Sequence, residues 1–285
     1  KTTAQMQDED ACICWADYGV WTIDDGKDCP RLGWENAPGQ AISRAYFYGG
    51  GRGTPGDPYL IYTPDQLKTI GTIECDFNKH FKLMADIDLS GFDGKSGRPA
   101  FNVIGPSYPG HFTGSFDGNG HAISHLTLKG KDYVGLFGYS AGEVKNVGIV
   151  DVNIVGSAYV GGLVGENHGL MTQCYSTGIV SGHQYVGGLA GWNSGTATRC
   201  CSTCAVTGTG SDIGGLVGEN NYSGNITLSF STGAVNGRYY VGGLVGQIIS
   251  GTVTQCYSIA DVIGESPVGG LVGHLRFDGT VTACY

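Results

Sequence analysis

The nine residues YVGGLVGEN, Tyr159 to Asn167, return in altered form along the second half of the chain. The copies are YVGLFG from Tyr133, YVGGLVG from Tyr159, YVGGLAG from Tyr185, DIGGLVG from Asp212, YVGGLVG from Tyr240 and PVGGLVG from Pro267. Their leucines, Leu136, Leu163, Leu189, Leu216, Leu244 and Leu271, are separated by 27, 26, 27, 28 and 27 residues. An interval this regular implies a solenoid with one structural rung per repeat.

The pieces between glycines are short and rich in β-favouring residues, as in TQCYSTGIVSG, and nowhere do ten helix-forming residues run together. A leucine-rich repeat has a similar period but needs several leucines per repeat. The expected fold is therefore all-β: a right-handed parallel β-helix, the hand that parallel crossovers favour, with rungs of about 27 residues and three short strands in each. Equivalent residues then stack in columns about 4.8 Å apart. The leucines form one inward column. Val144, Met171, Ala197, Ile226, Val253 and Val281 form a second, and Val147, Cys174, Cys200, Ser229, Cys256 and Cys284 a third. Paired glycines such as Gly161 and Gly162 are expected to turn corners through backbone conformations closed to other residues. GGLVGEN is not a phosphate loop, because no GK[ST] follows and no GxGxxG opens a helix.

Upstream, FTGSFDGNGHAISHLTLKG (Phe112 to Gly130) reads as an earlier rung, turning at Asp117 to Gly120 and offering Ile123, Leu126 and Leu128 to the core. TPDQLKTIG has Thr63 to cap a short helix, Pro64 to begin it and Gly71 to stop it, placed to cover the N-terminal end of the core. FKLMADIDLSG alternates as a first strand should. Residues 1–48 differ in composition and read as a small cysteine- and tryptophan-containing appendage that closes or docks onto a neighbouring unit, leaving residues 49–285 as the β-helix. GVWTIDDGKDCPRLGWE within the appendage reads as a hairpin.

The net charge of 16 − 25 = −9, with no long Lys/Arg cluster, argues against nucleic acid and a basic membrane-binding face. No apolar run is long enough to span a bilayer. Ten cysteines, read as having neither a CxxC pair nor a CxxC…H zinc spacing, fit an extracellular or cell-surface setting.

These phrases resemble the GLUG-motif repeat proteins, bacterial secreted and surface proteins. The likeness rests on GTPGDPYLIYTPDQL, HFKLMADIDLSG, FTGSFDGNGHAISHLTLKG, the YVGGLVGEN series and KTTAQMQ. The resemblance implies the solenoid and no particular chemistry, since such rungs accompany adhesive, proteolytic or carbohydrate-active domains. Asp212-Ile213 and Pro267-Val268 depart from the usual Tyr-Val. The passage from KTTAQMQ to PRLGWE typically follows the last rung in that family, whereas here it comes first. The expectation is a unit permuted relative to a tidy domain, either one period cut from a longer tandem chain or a subunit whose end is completed by the start of its neighbour.

No HExxH, GxSxG or triad spacing is present, and the seven histidines are scattered. Polysaccharide-cleaving β-helices use clustered carboxylates, but Glu166 and Glu219 align in this reading with Asn193, Ile248 and Leu275 or their neighbours, so no acidic ladder is expected. Asp86, Asp88 and Asp117 read as strand edge and turn. The chain is read as no enzyme, with no catalytic residue, cofactor or metal; calcium is conceivable but not indicated. The functional expectation is an extracellular structural protein assembling into a filament or tube, with other copies of itself as partners. The alternative is a cell-surface adhesin whose solenoid face binds glycan or protein, and a polysaccharide lyase or hydrolase ranks behind both. Tyr133, Tyr159, Tyr185 and Tyr240 are either an aromatic strip for sugar or a corner stack that stiffens the rod. Cys29 is a candidate disulfide partner of Cys12 or Cys14. Stacked cysteines on adjacent rungs are close enough either to bridge or to remain thiols.

Overall fold

The computed structural model describes residues 47–276 and 278–285, with three short strands before them, Trp21–Ile23, Arg31–Leu32 and Gln40–Ala41. From Tyr59 onward the strands wind into a parallel β-solenoid. One rung shows the plan: Ala158–Gly161, Val164–Asn167, Leu170–Thr172 and Tyr175–Gly182 lie on four different sheets. The rung thus has four strands rather than the three expected. The glycine-leucine phrase folds as a tight arch of two strands, where a single strand and a corner were anticipated.

The first and second sheets have six strands each, and the third has nine, ending at Tyr59–Ile61. The fourth contains Tyr175–Gly182 and its equivalents. Along the third sheet Val144, Met171, Ala197, Ile226, Val253 and Val281 pair in unbroken register. Phe81 and Phe116 continue the column upstream. Side chains on a strand alternate between faces, so exact register keeps every member of the column inside. Leu136, Leu163, Leu189, Leu216 and Leu244 are wholly buried, while Leu271 is half-buried. Cys174, Cys200, Ser229 and Cys256 are buried, and Cys284 is half-buried.

The paired glycines do not act as expected. Gly161 and Gly162 have no left-handed φ; that conformation belongs to the tyrosine before them, with φ 57° at Tyr133, 54° at Tyr159, 53° at Tyr185 and 50° at Tyr240. The glycines are required by close approach instead. A Cβ on Gly161 would lie 2.2 Å from the Val164 carbonyl oxygen, and one on Gly165 would lie 2.8 Å from that of Tyr159. Absence of a side chain lets the two strands of each arch pack backbone against backbone.

The helix Pro64–Ile70 has the expected start, a capping box in which Thr63 accepts from the Gln66 N–H and the Gln66 side chain accepts from the Thr63 N–H. Its Leu67 and Ile70 enter the core. The turn at Asp117 to Gly120 also forms, with Asp117 Oδ1 accepting from the Asn119 N–H at 2.8 Å and Asn119 at φ 53°. Ile123, Leu126 and Leu128 are buried behind it. In the first 48 residues Trp21–Ile23 pairs antiparallel with both Arg31–Leu32 and Gln40–Ala41. The hairpin turn, Cys12, Cys14 and Cys29 lie outside the described residues.

Candidate functional site

In four of the six arches the second residue of the first strand is a left-handed tyrosine, and Tyr133, Tyr159 and Tyr185 stack in succession. Tyr133 and Tyr159 have ring centroids 4.9 Å apart at 7°, and Tyr159 and Tyr185 are 4.8 Å apart at 20°. A bulky residue at positive φ costs about 1–3 kcal/mol, and each stacked pair returns about 0.5–1.5 kcal/mol. Because the rings cover one another's faces, the stack is a poor platform for a sugar ring. Burial, followed by the neighbouring Tyr185 and Glu166, pushes the Tyr159 phenol up to about 12. Tyr240 lies outside this run and stacks on His274 at 4.7 Å.

Asp212 interrupts the tyrosines, at φ 65° and 4% exposure. Ser211 donates its hydroxyl to Oδ2 at 2.6 Å, while Oδ1 has no hydrogen-bond partner. Burial raises this carboxyl to about 6, with Glu219 adding to the rise and Ser211 and Arg276 opposing it.

On the adjoining sheet the carboxylates occupy a column different from the one expected. Register aligns Tyr139, Glu166, Trp192, Glu219, Gln247 and His274. Asn193, Ile248 and Leu275 belong instead to the next column, with Asn167 and Asn220. The true partners stand three residues beyond each leucine, a fixed offset present in the sequence. Trp192 Nε1–H donates to Glu219 Oε1 at 2.8 Å, and Asn221 Nδ2 donates to the same oxygen at 2.9 Å. Burial raises the Glu219 carboxyl, and these two donors hold it back. One rung earlier, Glu166 Oε1 lies 2.5 Å from His168 Nε2, and the Ser194 hydroxyl lies 2.8 Å from His168 Nδ1.

The adjacent column is an internal amide ladder. Asn167 Nδ2 donates to Asn193 Oδ1 at 2.7 Å, and Asn193 Nδ2 donates to Asn220 Oδ1 at 2.7 Å. All three are essentially unexposed, and sequence reading did not single them out. In the sulfur column Cys174, Cys200, Cys256 and Cys284 are free thiols, and burial raises Cys256 to about 11. Cys201 and Cys204, a CxxC pair passed over in the sequence, are free as well. Cys75 is disulfide-bonded.

The remaining carboxylate candidates serve turns and edges. Asp86 Oδ1 accepts from the Ala122 N–H at 2.9 Å, Asp88 Oδ1 from the Ser90 N–H at 2.9 Å, and Asp117 Oδ1 also from Asn146 Nδ2 at 3.1 Å. Among the described residues no group of three or more His, Cys, Asp or Glu is placed to hold a metal ion. No described helix is long and apolar enough to cross a membrane.

Comparison with known proteins agrees with this architecture. Halomucin of Haloquadratum walsbyi is 35% identical over 137 residues, 46% of this chain and 2% of that protein. A protein of Evansella cellulosilytica described as a Gly-rich membrane protein is 36% identical over 140 residues, 47% of this chain and 16% of that protein. The chain therefore spans only a small part of the length of either relative. Among solved structures, a protein of Bacteroides ovatus described as a candidate immunoglobulin A1 protease superposes with a TM-score of 0.73 at 25% identity, covering 84% of this chain and 78% of that one. Residues 237–263 match the GLUG motif, a match that lies within the parallel β-solenoid.

Proposed function

We propose that the chain is a structural element of a cell surface, a stiff rod rather than an enzyme. The observation that carries this reading is the use made of the repeated side chains: tyrosine rings and asparagine amides bond chiefly to their own equivalents on neighbouring rungs. Such ladders oppose bending and slippage between rungs, which is what a spacer or stalk requires. The names of the two relatives, halomucin and a Gly-rich membrane protein, support the surface setting. The candidate protease among solved structures shares the solenoid. Here the carboxylates equivalent by register are engaged in structural hydrogen bonds.

In its finer form the reading has rods meeting end to end. Ile263, 65% exposed, and Leu275, 49% exposed, lie on successive rungs and offer apolar side chains for such a contact. A heterologous contact between identical rods propagates, and a filament follows from it. Sedimentation velocity over a range of concentrations tests this: the rod should assemble progressively, and Leu275→Lys should weaken assembly while the circular dichroism is unchanged. Assembly indifferent to Leu275→Lys would overturn the end-to-end contact.

A further inference from the structure

An aromatic run crosses the outside of the second sheet, parallel to the solenoid axis. Tyr108 stacks on His111 at 5.1 Å, and His111 meets Tyr139 edge-on at 5.0 Å. Tyr139 stacks on His168 at 4.5 Å, His168 meets Trp192 at 5.0 Å, and Trp192 meets Tyr222 at 5.6 Å. The two ends are the most prominent, Tyr108 at 69% exposure and Tyr222 at 73%; between them His168 is exposed as well, while Trp192, beside Tyr222, is at 7%. The run is a shallow cradle with an exposed aromatic ring at each end.

Tyr222 is held up by a local departure from the repeat. Asn193 pairs with Asn220 and Thr196 with Asn225, so two residues separate the first pair of positions and four the second. The longer turn places Tyr222 and Ser223 in succession at φ 44° and 70°, a conformation that non-glycine residues rarely adopt. A strained turn that projects an aromatic ring into solvent is an outlier from which a role can be inferred.

The floor between the two end rings is polar and already arranged. Glu166 fixes His168, which in turn meets the Ser194 hydroxyl, while Glu219 is engaged by Trp192 and Asn221. Both carboxylates are already hydrogen-bonded, and among the described residues no group of three or more candidate metal ligands gathers here. The net charge of −9 disfavours a polyanion. The exposed end rings Tyr108 and Tyr222 offer apolar faces, and with the fixed donors and acceptors between them they match a ligand with C–H faces and a rim of hydroxyls.

We propose that this cradle binds a neutral oligosaccharide lying along the solenoid axis. Tyr108 and Tyr222 pack against sugar faces at the two ends, and His168 and Ser194 meet hydroxyls between them. From Tyr139 to the rung of Glu219 is three rung steps, about 14 Å at 4.8 Å each, the span of a short oligosaccharide. The binding role is additional to the rod and does not depend on end-to-end assembly.

The test is isothermal titration calorimetry of the whole chain with neutral gluco-, xylo-, manno- and chito-oligosaccharides, and with oligogalacturonate as the acidic counterpart. At least one neutral oligosaccharide should bind saturably and oligogalacturonate should not. Tyr222→Ala and Tyr108→Ala should each weaken binding about tenfold, the equivalent of one lost stacking contact, whereas Tyr285→Ala, an exposed tyrosine outside the cradle, should leave it unchanged. Circular dichroism of each variant reports on folding. Failure of every neutral oligosaccharide to bind at millimolar concentration would overturn the proposal. So would preference for oligogalacturonate, or binding that survives both substitutions.

Discussion

Trp192 and Glu219 sit at equivalent positions on adjacent rungs, joined by an indole N–H donated to a carboxylate oxygen at 2.8 Å. Glu219 is 5% exposed, so removing the donor leaves a buried charge with one fewer bond. Trp192→Phe should therefore destabilise the fold by about 1–3 kcal/mol, read as a lower urea midpoint with an unchanged slope. Glu219→Gln, which retains an acceptor oxygen, should cost less.

Asp212 gives the protein an unusual pH dependence. Its carboxyl is raised in the fold to about 6 from an ordinary 3.8, so the native state binds the proton more tightly than the unfolded chain. Its contribution is most favourable below pH 3.8 and is lost as pH rises through 6, a change on the order of 2–3 kcal/mol. Glu219, also raised, adds in the same direction. Thermal melts should show that Asp212→Asn removes most of this decline. Asp212→Tyr should raise the melting temperature at neutral pH by filling the position between Tyr185 and Tyr240 on the ladder.

Gly165 should not accept even a methyl group. Its added Cβ would lie 2.6 Å from the Gly138 oxygen and 2.8 Å from the Tyr159 oxygen, both backbone atoms with little freedom to move. Gly165→Ala should cost about 1–3 kcal/mol or more. Gly91→Ala, where nothing lies within 4 Å, should be close to neutral in the same denaturant titration.

Much of this was readable in advance because a solenoid turns a repeat interval directly into a contact. Once Leu163 and Leu189 are known to lie 26 residues apart, Met171 and Ala197 must face the same core, and they do. What was misread depended on local geometry that the interval does not contain. GG resembles a flexible corner, yet Gly161 is extended and needed for close packing, while Tyr159 takes the left-handed position. Hydrophobic alternation gives no guide to Glu166 and Asn167, consecutive residues that are both buried, one bonded to His168 and the other to the amide ladder. The cradle was invisible because Tyr108 comes from an irregular loop and Tyr222 from an insertion, and neither follows the period.

Asn193 bonds to both Asn167 and Asn220, so Asn193→Ala should strand a donor on one side and an acceptor on the other. The expected cost is about 2–4 kcal/mol, each orphaned group contributing its own desolvation penalty. Ile248 already occupies the same column beyond Asn220, so replacing Asn167, Asn193 and Asn220 together by Ile should be less damaging than three times the single substitution. Denaturant titration of the single and triple variants measures the difference.

Electron cryomicroscopy of the chain at high concentration tests the proposed rod and the proposed end-to-end contact together. The expected result is filaments in which parallel strands continue across each junction at the spacing of about 4.8 Å found within a rung stack. Isolated particles the length of one solenoid at every concentration, or filaments joined side to side, would contradict it.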